Sequence, residues 1–502
     1  MIWGRWAAVT AFALIASFPP IDAGWLSWGA FVPWLLALEK HGKRGAFLWS
    51  YLVGLFFFGG TIWWVGYVTV PGVVLLVLYC ALYFGLWGWL SQKLLSRIRR
   101  SPSLLLGLPS LWVLLEYVRS FLLTGFGWNF LGHTQWKWPA VIQIADLAGV
   151  YGVSFLVMLM NVAFYLLVRG KGKKPELQGP LWIIAAVACF LGAVLSYGSV
   201  RLREFETAPA AGFKAAVLQG NIPQSQKWDE AFQEAIWKRY EQLTAQAAQM
   251  KPDLIIWPET AVPDYADDPR VAARLQGLAR TAGAPMLVGA PVGEEVGETI
   301  KVFNSGLLID RDGRFLDRYD KIHLVPFGEY VPLGPLLAWL RNLVLMGDFS
   351  HGRRATVFYS PSPSGNRSAG FSMMICFEDL FPGLCRRFAK AGAKWLVVVT
   401  NDAWFGRSAA SVQHLQASVF RAVEQRMWVV RAANTGWSGF VTPAGAPLPK
   451  PHHIPLFHPG VAQASIDFSK GLTFYCRAGD WLMALALLLV GWAFFDSRKR
   501  VS

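Results

Sequence analysis

The stretch Ser372–Asp379, SMMICFED, is an apolar run that ends at Cys376 and is followed closely by two acidic residues. A short apolar run of this kind predicts a buried β-strand. Two more segments carry reactive groups: Leu254–Glu259, LIIWPE, is an apolar run that ends at a carboxylate, and Asp320–Glu329, DKIHLVPFGE, places a lysine and a second glutamate in a loop interrupted by Pro and Gly. Layered α/β folds place their chemistry in the loops beyond strand ends. The three segments are therefore candidates for a catalytic site.

Predicted strands and helices alternate around these segments, from about residue 212 to 468. The predicted strands are Phe213–Gln219, Leu254–Trp257, Met286–Ala290, Ser305–Ile309, Gly370–Ile375, Trp395–Thr400, Met427–Ala432 and Val461–Ile466. The predicted amphipathic helices are Asp229–Gln249, Asp268–Thr281, Cys385–Ala391 and Ser411–Gln425. This alternation indicates an α/β or α+β layered domain whose sheets are covered by helices.

The remainder of the chain is strongly apolar. Over the 502 residues the hydrophobic fraction is 54% and the charged fraction 16%, which is far from the balance of a soluble domain and excludes intrinsic disorder. Because a helix needs roughly 20 mainly apolar residues to cross a membrane, the sequence predicts eight spans. They lie at about residues 1–18, 22–38, 46–68, 71–91, 104–124, 148–168, 181–199 and 481–496.

Basic residues mark alternate connections between the predicted spans. They follow the second, fourth, sixth and eighth spans: Lys40, Lys43, Arg44, Lys93, Arg97, Arg99, Arg100, Arg169, Lys171, Lys173, Lys174, Arg498, Lys499 and Arg500. By the positive-inside rule, both termini are then cytoplasmic, and the segment between the seventh and eighth spans lies on the far side. Much of the net charge of +15 belongs to this apolar part, so it indicates membrane topology rather than a nucleic-acid surface.

Two features of the spans allow alternative interpretations. Arg5 precedes a short apolar stretch, so the first span could also be a cleaved signal peptide, although Ser17–Pro20 offers no small-residue cleavage site. Glu116 and Arg119 are three residues apart in the fifth span and share one helix face. Ionisable groups inside a membrane are functional candidates, but we favour a structural ion pair that holds the bundle.

The order Glu, Lys, Cys, each in its own strand-end context, resembles the nitrilase superfamily. Four further segments are similar to its membrane members, the bacterial apolipoprotein N-acyltransferase family: Gln219–Gln224, Lys227-Trp228, the run from Lys321 to Pro332, and Asn401–Gly406. The resemblance covers essentially the whole chain. It departs from the family at Phe377, where members often carry Tyr, so one hydroxyl group is absent beside the predicted nucleophile.

The resemblance implies a fold of two parts. These are a multi-span α-helical membrane domain with eight transmembrane helices and an extracytoplasmic α/β nitrilase-like domain, an αββα sandwich. The implied boundaries are 1–199 for the first seven spans, 200–478 for the catalytic domain, and 479–502 for the last span and a basic tail.

The same resemblance assigns roles to site residues. It makes Glu259 the general base, Lys321 the oxyanion-stabilising cation and Cys376 the nucleophile that becomes acylated. A thiol nucleophile needs a base for its proton and a cation near the developing oxyanion, and a carboxylate and an ammonium group supply these functions. The implied supporting or pocket residues are Glu329, Glu378, Trp228, Trp404 and Phe405.

By the same resemblance, the chain transfers a fatty acyl chain from a membrane phospholipid to a lipoprotein. The acceptor is the free α-amine of the N-terminal diacylglyceryl-cysteine, and the acyl group passes through a thioester on Cys376 in a ping-pong reaction. The implied location is the bacterial inner membrane, with the catalytic domain on the periplasmic side. We expect no cofactor, no metal and no nucleic-acid partner, and we expect a monomer.

Two loops carry separate expectations. Pro332–Met346 is unusually apolar for a loop and too short to span a membrane, which favours a mobile lipid-contacting arm over an ordinary core helix. His452 and His453 lie in a Pro-flanked loop with no suitably spaced Cys or carboxylate, so we interpret them as surface residues rather than metal ligands.

Two other classes of function remain open from the residues. A membrane-tethered amidase or nitrilase would use the same three groups, with water rather than an amine resolving the acyl-enzyme. A transporter or channel with a regulatory domain is the second alternative, although the predicted spans carry few polar groups and no evident repeat. A thioester that is stable in water would distinguish acyl transfer from hydrolysis.

Overall fold

The computed structural model describes residues 2–98, 102–169, 178–206, 212–297, 299–326, 328–330, 349–360 and 370–499. The predicted lipid-contacting arm, Pro332–Met346, lies outside the described residues. The chain divides into two compact units. The first, called the helical unit, comprises Met1–Glu206, Ser408–Gln416 and Arg477–Ser502. The second, called the sheet unit, comprises Thr207–Arg407 and Ala417–Cys476.

The α-helices are numbered along the chain. They are α1 (Ile2–Ala16), α2 (Val32–Leu38), α3 (Lys43–Thr61), α4 (Val70–Leu95), α5 (Pro102–Arg119), α6 (Pro139–Ile142), α7 (Ala145–Arg169), α8 (Gln178–Glu206), α9 (Gln233–Gln249), α10 (Pro269–Ala282), α11 (Pro382–Ala391), α12 (Ala410–Gln425), α13 (Phe474–Ala478) and α14 (Trp481–Lys499). The helical unit holds α1 to α8, α14 and the beginning of α12.

Helices occupy the eight predicted span positions, but their lengths differ. Within the described residues, four helices are long and apolar enough to cross a membrane: Val70–Leu95, Ala145–Arg169, Leu181–Phe205 and Trp481–Arg498. The number of eight transmembrane helices therefore stays a prediction.

The second predicted span is not one continuous helix, contrary to expectation. A 3-10 turn, Gly24–Trp28, ends at Gly29, and Pro33 then lies in the first turn of α2. The seven residues of α2 rise only about 10 Å, which is a third of a hydrocarbon core. An apolar count over residues 22–38 cannot detect this break, because turn and helix are equally apolar.

The charged pair in α5 binds the main chain of the segment that follows it. Arg119 Nη1 donates to the carbonyl oxygens of Phe126 at 3.0 Å and Trp128 at 2.7 Å. Glu116 Oε1 accepts from the N–H of Leu131 at 2.7 Å. Both charged side chains are buried, so they satisfy main-chain groups that water cannot reach.

The segment Ser408–Gln416 is anchored in the helical unit by one buried amide. Gln413 Oε1 accepts from the indole N–H groups of Trp64 at 3.2 Å and Trp128 at 3.0 Å. Its Nε2 donates to the carbonyl oxygen of Thr61 at 3.0 Å. The predicted domain of residues 200–478 includes this segment, and nothing in the sequence marks it as part of the helical unit.

The sheet unit contains two sheets. Its strands, numbered along the chain, are β1 (Phe213–Gln219), β2 (Leu254–Ile256), β3 (Met286–Val296), β4 (Thr299–Ile309), β5 (Phe315–Asp320), β6 (Phe371–Ile375), β7 (Trp395–Thr400), β8 (Val429–Ala433), β9 (Ser438–Val441), β10 (His453–Ile454) and β11 (Gly460–Ile466). The strand orders are β11-β1-β2-β3-β4-β5 and β10-β9-β8-β7-β6. Strands β1 to β3 are parallel, as are β6 to β8, and the other pairs are antiparallel.

Side chains alternate across the sheets, and this alternation builds the layers. Ala216 and Leu218 of β1 join a core with α9 and α10, whereas Phe213 points the other way and contacts Trp395 of β7, with ring centroids 5.6 Å apart. On the second sheet, Ser418 of α12 hydrogen-bonds to β8. The sheet unit thus has the helix, sheet, sheet, helix order of the predicted sandwich.

Candidate active site

Polar side chains gather where strands of both sheets end. Glu259 lies three residues beyond β2, Lys321 directly follows β5, and Cys376 directly follows β6. Asn401 directly follows β7, and Asn304 lies within β4. Strand ends are rigid supports because the preceding residues are fixed by sheet hydrogen bonds, so side chains placed there keep their positions. The contacts described below join Glu259, Lys321 and both asparagines in one cluster beside the thiol.

The loop that carries Glu259 is held close to the sheet. Trp257 is fully buried and stacks on Tyr240, with ring centroids 4.7 Å apart. On the neighbouring strand β3, a Cβ atom at Gly289 would lie 2.2 Å from the carbonyl oxygen of Pro258. Glycine is required there because any side chain would push the loop away. The carboxylate of Glu259 is therefore fixed by packed neighbours.

Lys321 lies between two carboxylates. Its Nζ is 2.8 Å from Glu329 Oε1 and 3.4 Å from Glu259 Oε1, and all three side chains are buried. Asn304 Nδ2 donates to the same two oxygens, at 2.8 Å to Glu259 and 3.2 Å to Glu329. The other oxygen of Glu259 accepts from the main-chain N–H of Asn401 at 2.8 Å. Both oxygens of Glu259 thus have partners that fix its orientation.

Two opposing effects act on the pKa of Lys321. Burial alone lowers the pKa of an ammonium group, but the negative charges of Glu329 and Glu259 outweigh burial and raise the pKa of Lys321 above its ordinary value. Lys321 is therefore a cation throughout the neutral pH range. A fixed buried cation of this kind is suited to stabilise negative charge that develops on a substrate oxygen.

Cys376 begins the turn after β6 with a backbone φ of +53°. This left-handed conformation costs a non-glycine residue of the order of 1–3 kcal/mol and often marks a functional position. Cys376 is partly exposed between buried neighbours, Ile375 and Phe377. Burial of its thiol raises the pKa of Cys376, the charge of Glu259 raises it further, and the charge of Lys321 opposes the rise. The thiol therefore needs an adjacent base and cation to react.

Glu378 joins the end of β6, which precedes Cys376, to the loop that follows Lys321. Its Oε1 accepts from the hydroxyl of Tyr319 at 2.7 Å and from the N–H groups of Ile322 at 2.8 Å and His323 at 3.0 Å. Its Oε2 accepts from the N–H of Ile375 at 2.7 Å. Burial raises the pKa of Glu378 to about 7, although the hydrogen bonds from Ile375 and His323 oppose the rise. The side chain ties the residue before the nucleophile to the two residues after the lysine.

The three aromatic residues predicted to line a pocket have accessible side chains. Trp228 is 42% exposed, and Trp404 and Phe405 are partly exposed. Large apolar side chains that are exposed in this way on the unit that holds Cys376 are suited to contact a lipid. Their role stays a prediction.

Three residues of the site have no role predicted from the sequence: Asn304, Lys227, and Asn401, whose N–H contacts Glu259. Asn304 lies just before the predicted strand Ser305–Ile309, and it meets the carboxylates only because β4 folds back beside β3 and β5. Lys227 belongs to a recognised motif but received no role. It is buried, and its Nζ donates to the main-chain oxygen of Glu259 at 3.0 Å. Lys227 and Asn401 lie in segments that are similar to the family, but the resemblance assigns no role to either, and Asn304 lies in no such segment.

Among the described residues of the sheet unit, potential metal-ligating side chains do not cluster around the two histidines His452 and His453, whose rings contact the main chain. Within the ranges described, no group of three or more His, Cys, Asp or Glu residues is placed to hold a metal ion. The Nδ1 atoms of His452 and His453 lie 2.7 Å from the carbonyl oxygen of Gln463 and 3.0 Å from that of Leu448, respectively. Both imidazole rings therefore hydrogen-bond to the main chain.

Two family models match separate parts of the chain. The model described as the apolipoprotein N-acyltransferase N-terminal domain matches residues 10–163. The model described as carbon-nitrogen hydrolase matches residues 214–470, which include every candidate site residue. The first match lies within the helical unit, and the second covers most of the sheet unit together with Ser408–Gln416 of the helical unit.

Similar proteins match along almost the whole length. An apolipoprotein N-acyltransferase of Geobacter metallireducens is 40% identical, over 94% of this chain and 91% of the relative. Those of Chlorobaculum tepidum and Azotobacter vinelandii are 30% and 33% identical, over 95% and 92% of this chain and 92% and 89% of the relatives. Both the matched domains and the full-length similarity show that this chain belongs to the apolipoprotein N-acyltransferase family.

Proposed function

We propose that this chain transfers a fatty acyl chain from a membrane phospholipid to the free α-amine of the N-terminal diacylglyceryl-cysteine of a lipoprotein. Cys376 carries the acyl group between the two substrates. The observation that carries the proposal is the buried cluster in which Lys321 bridges Glu259 and Glu329 beside the thiol. The chain also contains four helices that are long and apolar enough to cross a membrane. Lipid substrates are supported because these helices would anchor the same chain in the bilayer where such substrates reside.

The first half-reaction loads the enzyme. Cys376 attacks the ester carbonyl of the phospholipid, and Glu259 accepts the thiol proton as the sulfur–carbon bond forms. Lys321 stabilises the negative charge on the carbonyl oxygen. The carbon–oxygen bond then breaks, and Glu259 returns the proton to the departing oxygen. The products are a thioester on Cys376 and a lysophospholipid.

The second half-reaction transfers the acyl group from Cys376 to the lipoprotein. The free α-amine of the lipoprotein attacks the thioester carbonyl, and Glu259 accepts a proton from the attacking nitrogen. Lys321 again stabilises the oxyanion. The carbon–sulfur bond breaks, the proton passes from Glu259 to the sulfur, and Cys376 is a thiol again. An N-acylated lipoprotein leaves, so the two substrates react in turn and need not be bound together.

The remaining site residues support these steps. Glu329 holds Lys321 in place, and Glu378 fixes the strand end that carries Cys376. Trp228, Trp404 and Phe405 contact the acyl chains of the substrates. We place the catalytic unit on the periplasmic side of the inner membrane with both termini cytoplasmic, because the basic residues follow alternate spans.

The test is intact-protein mass spectrometry of the purified chain in detergent with phospholipid. The native chain should gain one fatty-acyl mass, and a diacylglyceryl-cysteine peptide added afterwards should remove that mass and acquire it. Cys376→Ala should gain none. Cys189→Ser is the matched control, since Cys189 is an exposed cysteine in α8 outside the site, and it should behave as the native chain.

Two outcomes would count against the proposal. A native chain that gains no mass with phospholipid present has no phospholipid-derived acyl-enzyme. An acyl mass that disappears equally fast in water alone and in the presence of the peptide would make the chain a hydrolase, because water would then resolve the thioester.

A further inference from the structure

A second buried lysine lies beside the candidate active site. Lys227 is 4% exposed, and its Nζ donates to the main-chain oxygen of Glu259 at 3.0 Å. This partner is a neutral carbonyl, whereas Lys321 contacts two carboxylates. A buried ammonium group loses most of its hydration, so it is retained only where nearby negative charge compensates the loss. For Lys227, that charge comes from Glu259 and Cys376, which both act on it.

The charges at the site favour a second cation. Glu259 and Glu329 carry two negative charges and share Lys321, so this trio has a net charge of −1. When the proton of Cys376 moves to Glu259, the negative charge moves to the sulfur and stays in the same buried region. Like charges at close range strongly disfavour one another in a low-dielectric site. Lys227 brings the four permanent charges to zero before the thiol ionises.

The other charged groups around the thiol do not supply this compensation. Asp402 also acts on Cys376, and it shares Arg431 with Asp379, at 3.5 Å and 3.1 Å. Asp402 and Asp379 together contact one guanidinium group, so this trio has a net negative charge and does not compensate the charge of the thiolate. Glu378 is turned to its four donors on the neighbouring strand and loop. Removal of Lys227 would therefore leave the thiol with an excess of carboxylates around it.

We infer that Lys227 is a positioning residue for the reaction, whose ammonium group balances the negative charge that passes between Glu259 and Cys376 and so allows the thiol to ionise. The proton that leaves Sγ goes to the Glu259 carboxylate, and Lys227 keeps its own protons. For its substrates this inference rests on the proposed function. The ionisation itself needs no lipid or lipoprotein, so it can be measured separately.

The titration of Lys227 agrees with this role. Burial lowers the pKa of Lys227 to about 8, and the charges of Glu259 and Cys376 oppose the fall. Such coupling is reciprocal, because a thiolate that favours the ammonium form is itself favoured by the ammonium form to the same extent. The help that Lys227 gives is therefore present below about pH 8 and is lost as pH rises through that value.

The test is the rate of Cys376 alkylation by iodoacetamide at pH 7, where Lys227 is charged, followed by intact mass in a Cys189→Ser background. Lys227→Met removes the charge with little change in length, and the alkylation rate should fall about tenfold or more, since an opposite charge shifts a pKa by about 1–3 units. Lys227→Arg keeps the charge and should return the rate towards the native value. Lys238→Met is the matched control because Lys238 is exposed on α9, and its alkylation rate should be native.

Each outcome decides the inference. A native alkylation rate in Lys227→Met overturns it, even if acyl transfer is lost. If Lys227→Met does not melt cooperatively, Lys227→Gln decides, because its amide keeps an N–H donor but carries no charge. A reduced alkylation rate in Lys227→Gln supports the inference and a native one overturns it. A reduced rate in a chain that never transfers an acyl group supports the inference and contradicts the proposed function alone.

Discussion

Glu329 and Lys227 carry opposite charges in the cluster around Glu259, so their removal should have opposite effects on the ionisation of Cys376. In Glu329→Gln, Lys321 keeps one carboxylate instead of two, and the site becomes more positive. The midpoint of the pH dependence of Cys376 alkylation should fall by about 1 unit, because Lys321, which acts on the thiol, is then neutralised by one carboxylate rather than two. Acyl transfer should decrease all the same, since Lys321 loses its shorter contact. Glu295→Gln, at an exposed position on β3, is the control. A higher midpoint in Glu329→Gln would contradict this electrostatic interpretation.

Glu378 should matter for stability before it matters for chemistry. Glu378→Gln puts an amide NH₂ where two carboxylate oxygens accept four hydrogen bonds, so at least one buried N–H is left without an acceptor. The expected loss is about 1–3 kcal/mol of folding free energy. Thermal melting in detergent measures it, with Glu230→Gln, which is exposed, as the control. A native melting temperature would show that the four contacts do not stabilise the sheet unit.

The first half-reaction should lose rate at alkaline pH. Burial lowers the pKa of Lys227 to about 8, so its charge is complete well below that pH and disappears above it. Thioester formation from phospholipid should therefore slow as pH rises through about 8. Lys227→Arg should carry the activity to higher pH, because a guanidinium group does not deprotonate there. A native rate that keeps rising well beyond this pH would contradict the prediction.

Two kinds of signal indicated the predicted site residues. Glu259 and Cys376 follow apolar runs, which made them candidates, whereas Lys321 follows no such run and its role came from the resemblance to the family. Asn304 and Lys227 could not be found in that way, because their contacts depend on which strands lie side by side. Their polarity alone does not distinguish them from surface residues, although both are buried.

At the scale of elements, the approach of β3 to the Glu259 loop is the most sensitive contact. Gly289→Ala places a Cβ atom 2.2 Å from the carbonyl oxygen of Pro258, so strand or loop must move. We expect the free energy of unfolding to fall by about 1–3 kcal/mol. We also expect the rate of acyl transfer to fall, because the displaced loop carries Glu259, the proposed base.

Gly277→Ala is the matched control for that substitution. A Cβ atom at Gly277, within α10, meets nothing within 4 Å, so alanine should raise the helix stability by about 0.5–1 kcal/mol. Thermal melting and the acyl-transfer rate of both variants provide the measurement. Equal effects at the two glycines would show that the close approach to β3 is unimportant.

Apolar strands were predicted well and polar ones were not. The bounds of β1 and β7 agree residue for residue with the prediction, because both strands are buried almost throughout. Strand β5 was missed, although Lys321 follows it. Its sequence, FLDRYD, is half charged, and Arg318 pairs with Glu294 across the sheet. An edge strand stabilised by ion pairs lacks the apolar signal on which the prediction relied.

At the scale of the whole molecule, the proposed topology can be tested with single cysteines. Ser96→Cys, Lys137→Cys and Lys450→Cys change exposed residues in three different connections. In a chain with Cys189→Ala and Cys376→Ala, a membrane-impermeant maleimide added to spheroplasts should label the second and third variants. The first should be labelled only after permeabilisation, because basic connections remain in the cytoplasm. Labelling of Ser96→Cys in intact spheroplasts would reverse the proposed orientation.

The division into two units follows from composition, but its details do not. Apolar content separates the membrane part from the layered part, and the family models match the same two regions. The break between Gly24–Trp28 and α2 is hidden by uniformly apolar residues. The anchoring of Gln413 in the helical unit is hidden as well, because it depends on partners more than 280 residues away in the chain.

Because Cys376 has a left-handed backbone conformation, the residue that would make this position most stable to heat is not the residue that can react. Glycine adopts a φ of +53° without steric cost, whereas alanine does not. Cys376→Gly should therefore melt at a higher temperature than Cys376→Ala, although neither can carry an acyl group. A library selected only for survival at high temperature would tend to accumulate glycine at this position. Selection of this chain for robustness must therefore include an activity screen, or it will discard the nucleophile.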